Sequence, residues 1–267
     1  MRGHASCLHG DVAEYRRCLA DFFAEGVQGG LRLAYVSSDD VQAARANLAD
    51  LGDLDRLLAG GALHVLSARE IYGAGGPVDP ERVVAFVAAA TEQALADGFG
   101  GLAMSADATG LVGTPVQKDA FARCEFLVDR YMAGHPLSAL CGYGLGLGND
   151  TVAEFALLHT PAPSNEAPLQ VFGCADGAIG LAGECDPIGI AALGRVLPRL
   201  RAADGGTLVV DMAGVEFVDH RLLLTLDRYA RGNGIAVSLR SAPPFVARLM
   251  ELLPVVSLQL ARLGGQE

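Results

Sequence analysis

The stretch from Leu208 to Tyr229, LVVDMAGVEFVDHRLLLTLDRY, constrains this chain more than any other. Leu208, Val209 and Val210 form a buried-strand run, Ala213-Gly214 marks a turn, and Val215 to Val218 leads into Asp219. The Asp219 carboxylate can accept from the unpaired amides of a first helical turn. Leu222, Leu223, Leu226, Tyr229 and Ala230 then recur at helical spacing and build one apolar face. Two cations, His220 and Arg221, stand in the first turn of that helix. If charged and exposed, each opposes the helix dipole by about 0.3–1 kcal/mol.

The flanking segments complete a pattern. Leu169–Phe172 and Ile179–Leu181 read as short strands around a turn at Gly177, and Gly183-Glu184-Cys185-Asp186 closes the second on an acid. Ile190, Leu193, Leu197 and Leu200 predict a helix over about Pro187–Ala203, with Pro198 marking a kink or break. A strand at Ala236–Leu239, a helix from Pro244 to Leu253 and a last segment at Val256–Leu260 follow. In this order the motifs of residues 168–262 resemble the STAS family, the fold of anti-sigma-factor antagonists. The resemblance implies a smaller α/β domain that engages an anti-sigma factor or a related kinase-fold protein through Asp186, Asp219, His220 and Arg221. Many family members place a phosphorylatable Ser or Thr directly after the turn aspartate. Here His220-Arg221-Leu222 stands there, and no serine kinase can phosphorylate His220 or Arg221.

Upstream, residues 160–168 (TPAPSNEAP) hold three prolines among polar neighbours, a composition that suits neither a helix nor a central strand. They predict a linker between a domain over 1–159 and one over 169–267. With 51% hydrophobic and 19% charged residues, the chain has the composition of folded domains rather than of disorder. No apolar run approaches the ~20 residues that span a bilayer, and the start MRGHASCLHGD lacks a signal-peptide core. The expected location is cytoplasmic, with no membrane partner. The six cysteines show no close-set framework, so reduced thiols are expected. Residues 168–267 carry ten acids and nine bases, leaving 21 acids and 11 bases for residues 1–167. Neither half has the basic excess of a nucleic-acid binder.

The first half reads as helices alternating with strands. Asp11 with Glu14 opens a helix carrying Tyr15, Leu19, Phe22 and Phe23, and Gly29-Gly30 stops it. Strands are predicted at Leu31–Val36, Leu63–Leu66, Gly101–Met104 and Ser138–Tyr143. Asp39 or Asp40 caps a second helix, Asp79-Pro80 opens a third, and a fourth runs from about Val116 to Met132. Such alternation implies a parallel-sheet, three-layer α/β domain. Ligands in such sheets sit beyond the carboxyl ends of the strands. Glu70, Tyr72, Asp107, Cys141 and Tyr143 converge there, with His4 near them, as candidate ligand-binding residues. Ser and Asp after strands also cap the next helix without binding anything.

Lys118, the one lysine, lies inside a helix, which excludes a phosphate-binding P-loop, and no cofactor fingerprint is present, so no cofactor is expected. His4, Cys7 and His9 form an H-x2-C-x-H cluster. Structural zinc needs four donors in recognisable pairs. The plainer reading is therefore a strand with His4 hydrogen-bonded near the pocket and no resident metal.

Gly3-His4, the Tyr15–Gly26 helix running into Tyr35-Val36, Tyr72 followed by Asp79-Pro80, and Leu140-Cys141-Gly142-Tyr143 together resemble the MEDS sensory domain over residues 3–160. The resemblance implies a non-catalytic input domain responding to a small, hydrocarbon-like ligand. The expected function is a signalling regulator with a ligand-sensing input and a STAS output lacking the usual phosphoacceptor. The alternative is a small-molecule enzyme using Cys141 as nucleophile and His4 as base. Homodimer formation stays open.

Overall fold

The computed structural model describes residues 3–37, 41–160, 169–200 and 206–261. The first domain runs β1 (His4–His9), α1 (Val12–Gln28), β2 (Arg32–Ser37), α2 (Val41–Asn47), α3 (Leu54–Ala59), β3 (Leu63–Ser67) and α4 (Ala68–Tyr72). It continues through α5 (Pro80–Ala96), β4 (Leu102–Asp107), α6 (Pro115–Met132), β5 (Leu137–Gly144) and α7 (Asn149–Leu157). Local chemistry sets the ends of these elements. Asp11 caps α1 by accepting from the amides of Ala13 and Glu14, and Glu14 reaches back to the Gly10 amide at 2.6 Å. Asp79 caps α5, with Pro80 in its first position. The proposed cap residues Asp39 and Asp40 lie outside the described residues.

The five strands form one parallel sheet in the order β1-β5-β4-β2-β3. Its two faces divide the side chains. On one, Ala5, Cys7 and Leu140 pack with Tyr15, Leu19 and Phe23 of α1. On the other, Met104 and Ala106 pack with Val83, Phe121 and Phe155 of α5, α6 and α7. Side chains alternate along a strand, and the register sets Ser6 of β1 opposite Cys141 of β5. His4 therefore shares a face with Cys141, while Cys7 points to the opposite one. The H-x2-C-x-H spacing is thus a strand pattern, split between two faces of the sheet. A Cβ on Gly142 would lie 2.6 Å from the Tyr15 ring, so α1 closes on β5 only over bare backbone.

The second domain comprises β6 (Leu169–Gly173), β7 (Ile179–Cys185), α8 (Pro187–Leu200), β8 (Thr207–Val218), α9 (Arg221–Asn233), β9 (Ala236–Arg240), α10 (Pro244–Leu252) and β10 (Leu258–Leu260). Its sheet runs β10-β9-β8-β7-β6, with only the β6–β7 pair antiparallel. The stretch 208–229 forms most of β8 and α9, and Leu222, Leu223, Leu226 and Ala230 are fully buried. Pro198 falls in the last turn of α8, so the helix runs through it and reaches Leu200.

The linker residues 161–168 lie outside the described residues. On either side of them the domains are packed together. Phe126, Phe155 and Leu157 belong to the same buried apolar cluster as Leu169, Leu193 and Leu197. Glu154 of α7, almost wholly buried, pairs with Arg195 at 2.7 Å and with Arg199 at 2.6 Å, both from α8. Arg123 of α6 donates to the Leu200 carbonyl at 2.8 Å.

Candidate functional site

A buried polar cluster lies on the α6–α7 face of the first sheet. β1 brings His4, β5 brings Cys141, α6 brings Glu125 and Asp129 one helical turn apart, and the end of α7 leads to His159. His4 Nε2 is 2.9 Å from Glu125 Oε2, and its Nδ1 is 2.9 Å from Asp129 Oδ1. Cys141 Sγ stands 3.6 Å from His4 Nε2. His159 Nε2 faces Glu125 Oε1 at 3.6 Å, while its Nδ1 is 2.6 Å from the Phe155 carbonyl. Tyr143 donates its hydroxyl to Glu125 Oε1 at 2.7 Å.

At His4, His159 and Glu125, opposite charges work against the effect of burial. Burial works against the His4 cation, but Glu125 and Asp129 outweigh it and raise its pKa well above the usual value. Burial and neighbouring His4 work against the His159 cation, yet Glu125 and the Cys141 contact raise its pKa to about 9. Burial alone would raise Glu125, but the two imidazoles hold it well below the ordinary carboxylate range. Burial pushes the hydroxyls of Tyr72 and Tyr143 up.

Beside the cluster is a cavity of about 40 Å³, bounded by Tyr72, Val83, Phe121, Cys124 and Met104 as well as by His4, Glu125 and Cys141. It has room for on the order of three water-sized groups. A separate open cleft of about 520 Å³ lies at the carboxyl ends of the strands, walled by Tyr35, Asn47, Arg69, Tyr72, Asp107 and Thr109.

The six candidate ligand residues are thereby divided. His4 and Cys141 meet at the inner cavity, Asp107 lines the outer cleft, and Tyr72 borders both. Asp107 accepts from the Thr109 amide at 2.9 Å and faces His9 at 3.8 Å; burial raises its pKa, but these contacts outweigh it and leave the pKa lowered. Tyr143 is fully buried, stacked on Phe155, with its hydroxyl held by Glu125, so it supports the cluster from behind. Glu70 stands apart from the other five. It is exposed on α4 and borders neither cavity, because its place in the first turn after Ser67 turns its side chain to solvent.

In the second domain, Asp186 accepts from the Gly189 amide at 2.7 Å at the start of α8. Asp219 accepts from the Arg221 amide at 2.8 Å and also contacts His220 at 3.2 Å and the Arg221 guanidinium at 3.1 Å. His220 and Arg221 are thus both in contact with the acid before them. Exposed Ile188 and Phe217 flank this turn.

Sequence reasoning missed Glu125, Asp129, His159 and Glu154. The signal for the first two is two acids at i and i+4 beside the apolar positions Phe121, Cys124 and Val128. His159 gave none.

Two family models match the chain. One, described as MEDS, the MEthanogen/methylotroph, DcmR Sensory domain, covers residues 3–160. The other, described as the Mlab, STAS domain, covers residues 172–259. Searches of curated proteins and of solved structures each found no match. The first model spans more than half of the sequence and ends where the second sheet is about to begin, so the chain belongs to the MEDS family of sensory domains and carries a STAS domain fused behind it.

Proposed function

We infer that this protein is a non-catalytic cytoplasmic regulator, in which the MEDS domain takes a small apolar ligand and the STAS domain engages a protein partner. A sensory domain joined to a STAS domain places it among signalling or regulatory proteins. The observation that carries the ligand reading is the 40 Å³ cavity, apolar on most sides and closed by His4, Glu125 and Cys141. Its size favours a molecule of one to three heavy atoms, held by contact with Phe121 and Val83 and oriented by the polar wall. The STAS turn supports an output that works without phosphorylation: Asp219 occupies both His220 and Arg221, and exposed Phe217 and Ile188 lie at hand for an anti-sigma factor or related kinase-fold partner.

Hydrogen exchange of the full chain with and without methanol or ethanol tests the ligand reading. Protection should change at β6 and α8. Val83→Phe, which fills the cavity, should abolish that change. An identical response in wild type and Val83→Phe would remove the cavity from the reading.

The 3.6 Å contact between Cys141 Sγ and His4 Nε2 favours a second reading, an enzyme with a cysteine nucleophile. That reading requires Cys141 to alkylate faster than the other five cysteines.

A further inference from the structure

The buried cluster has the donors and the outer contacts of a metal centre. His4, Glu125, Cys141 and His159 each offer a donor atom, and these atoms all lie within 4.8 Å of one another. In a tetrahedral site with bonds of about 2.0–2.3 Å, donor atoms stand roughly 3.3–3.8 Å apart. Cys141 Sγ to His4 Nε2 and His159 Nε2 to Glu125 Oε1 are both at 3.6 Å. The 2.9 Å between His4 Nε2 and Glu125 Oε2 is a hydrogen-bond length, and an ion in place of the proton would spread that pair by a few tenths of an ångström.

The outer contacts decide which atoms face inward. Asp129 Oδ1 takes the Nδ1–H of His4, and the Phe155 carbonyl takes that of His159. Each contact leaves Nε2 as the ring atom facing the cluster, where an ion would take the place of its proton, as outer-shell acceptors do for metal-bound imidazoles. Tyr143 steadies Glu125 in the same way. His159 Nε2 is buried and makes no hydrogen bond among the described residues. Glu125 Oε1, which it faces at 3.6 Å, lies just beyond hydrogen-bond reach, a separation that suits two ligands of one ion.

We propose that His4, Glu125, Cys141 and His159 bind one divalent first-row transition ion of the zinc class. Two imidazoles, a thiolate and a carboxylate suit such an ion, whereas magnesium and calcium favour oxygen donors throughout. Binding sends the Cys141 thiol proton, and any proton held at the two Nε2 atoms, to solvent and leaves the thiolate and both ring nitrogens on the ion. The 40 Å³ cavity shares His4, Glu125 and Cys141 with the site, so a small ligand held there lies against the ion. This deepens the sensory reading and rests on it for the purpose of the site, not for the binding itself.

The test titrates the chelator-stripped full chain with Zn²⁺ and Co²⁺. One ion per chain is expected, with a thiolate-to-cobalt charge-transfer band. Cys141→Ser should abolish the band, and Cys18→Ser, on the opposite face of the sheet, should keep it. Asp129→Asn should weaken Zn²⁺ binding roughly 10–100-fold with the band retained, an effect that a merely structural His4–Asp129 contact would not produce. Should Cys141→Ser not fold, protection of Cys141 from alkylation by stoichiometric Zn²⁺ in the wild-type chain replaces it. Absence of stoichiometric binding, a cobalt band that survives Cys141→Ser, or alkylation indifferent to Zn²⁺ overturns the proposal. A chain that binds no metal yet answers to methanol or ethanol retains the sensory reading, so the two failures are distinguishable.

Discussion

The backbone amide of Gly173, in the first strand of the STAS sheet, donates to Asp129 Oδ2 at 3.4 Å. The other oxygen of that carboxylate holds His4 at 2.9 Å. One side chain therefore touches both the buried cluster of the sensory domain and the sheet of the output domain. A shift at His4 has a direct mechanical route to β6, and any ligand that favours one placement of Asp129 shifts the pair by its differential affinity.

Gly173→Ala should break this route. A Cβ there would lie 2.3 Å from the Phe126 carbonyl oxygen and 2.7 Å from Arg130 Cγ, so β6 must lift from α6. A loss of about 1–3 kcal/mol is expected in chemical unfolding. Faster hydrogen exchange in β6, with β9 unchanged, locates the effect.

Glu154→Ala should destabilise the junction more than a surface charge change does. It leaves Arg195 and Arg199 facing a vacated buried site. Removing one partner of a buried pair costs about 3–5 kcal/mol. Because Arg195 is 37% exposed and partly screened, the expected loss lies near the lower end. Urea denaturation at fixed pH measures it.

The proline-rich sequence predicts that a protease cutting near Ala162–Ala167 releases two folded pieces. The shared core changes that expectation. A nicked chain should elute as one particle in size-exclusion chromatography and separate only in denaturant, or in Glu154→Ala. Two particles from nicked wild type would show that the buried junction contributes little.

Thiol chemistry should single out Cys18. Its contact with Cys7 lowers its pKa, and it is only half-buried. The same contact and burial push Cys7 up, and burial raises Cys185 to about 12. Lowering a thiol pKa enlarges the reactive thiolate fraction at a given pH, so Cys18 alkylation should reach its plateau at a lower pH than an ordinary thiol does. Cys185 should stay unlabelled at pH 8. Peptide mapping after brief iodoacetamide treatment checks this, and Cys141 reacting first would instead support the enzymatic reading.

Local pattern made much of the fold legible. Asp11, Asp79-Pro80 and the Leu222–Leu226–Ala230 stripe act within one turn or one helix face, so spacing alone revealed them. α7 escaped notice because its buried positions include Thr151 and Glu154, which blur the apolar period. The buried cluster was legible only at His4 and Cys141. Its remaining members, Glu125, Asp129 and His159, meet through tertiary packing of α6 and α7 beneath the sheet, and no short spacing encodes that. The rule that sites gather at the carboxyl ends of strands pointed to the outer cleft, whereas these charges are gathered under one face of the sheet.

The Glu154 junction bears on how such a protein is inherited. A STAS unit excised at the proline-rich segment would carry Arg195 and Arg199, along with the apolar side of α8, onto an open surface. Transplanted behind another sensor, it would need an acid to receive those guanidiniums and a matching greasy seat. Duplication, fission or shuffling at this boundary is thus constrained by charge, and the two halves should drift together, each substitution at the seam selecting its counterpart across it.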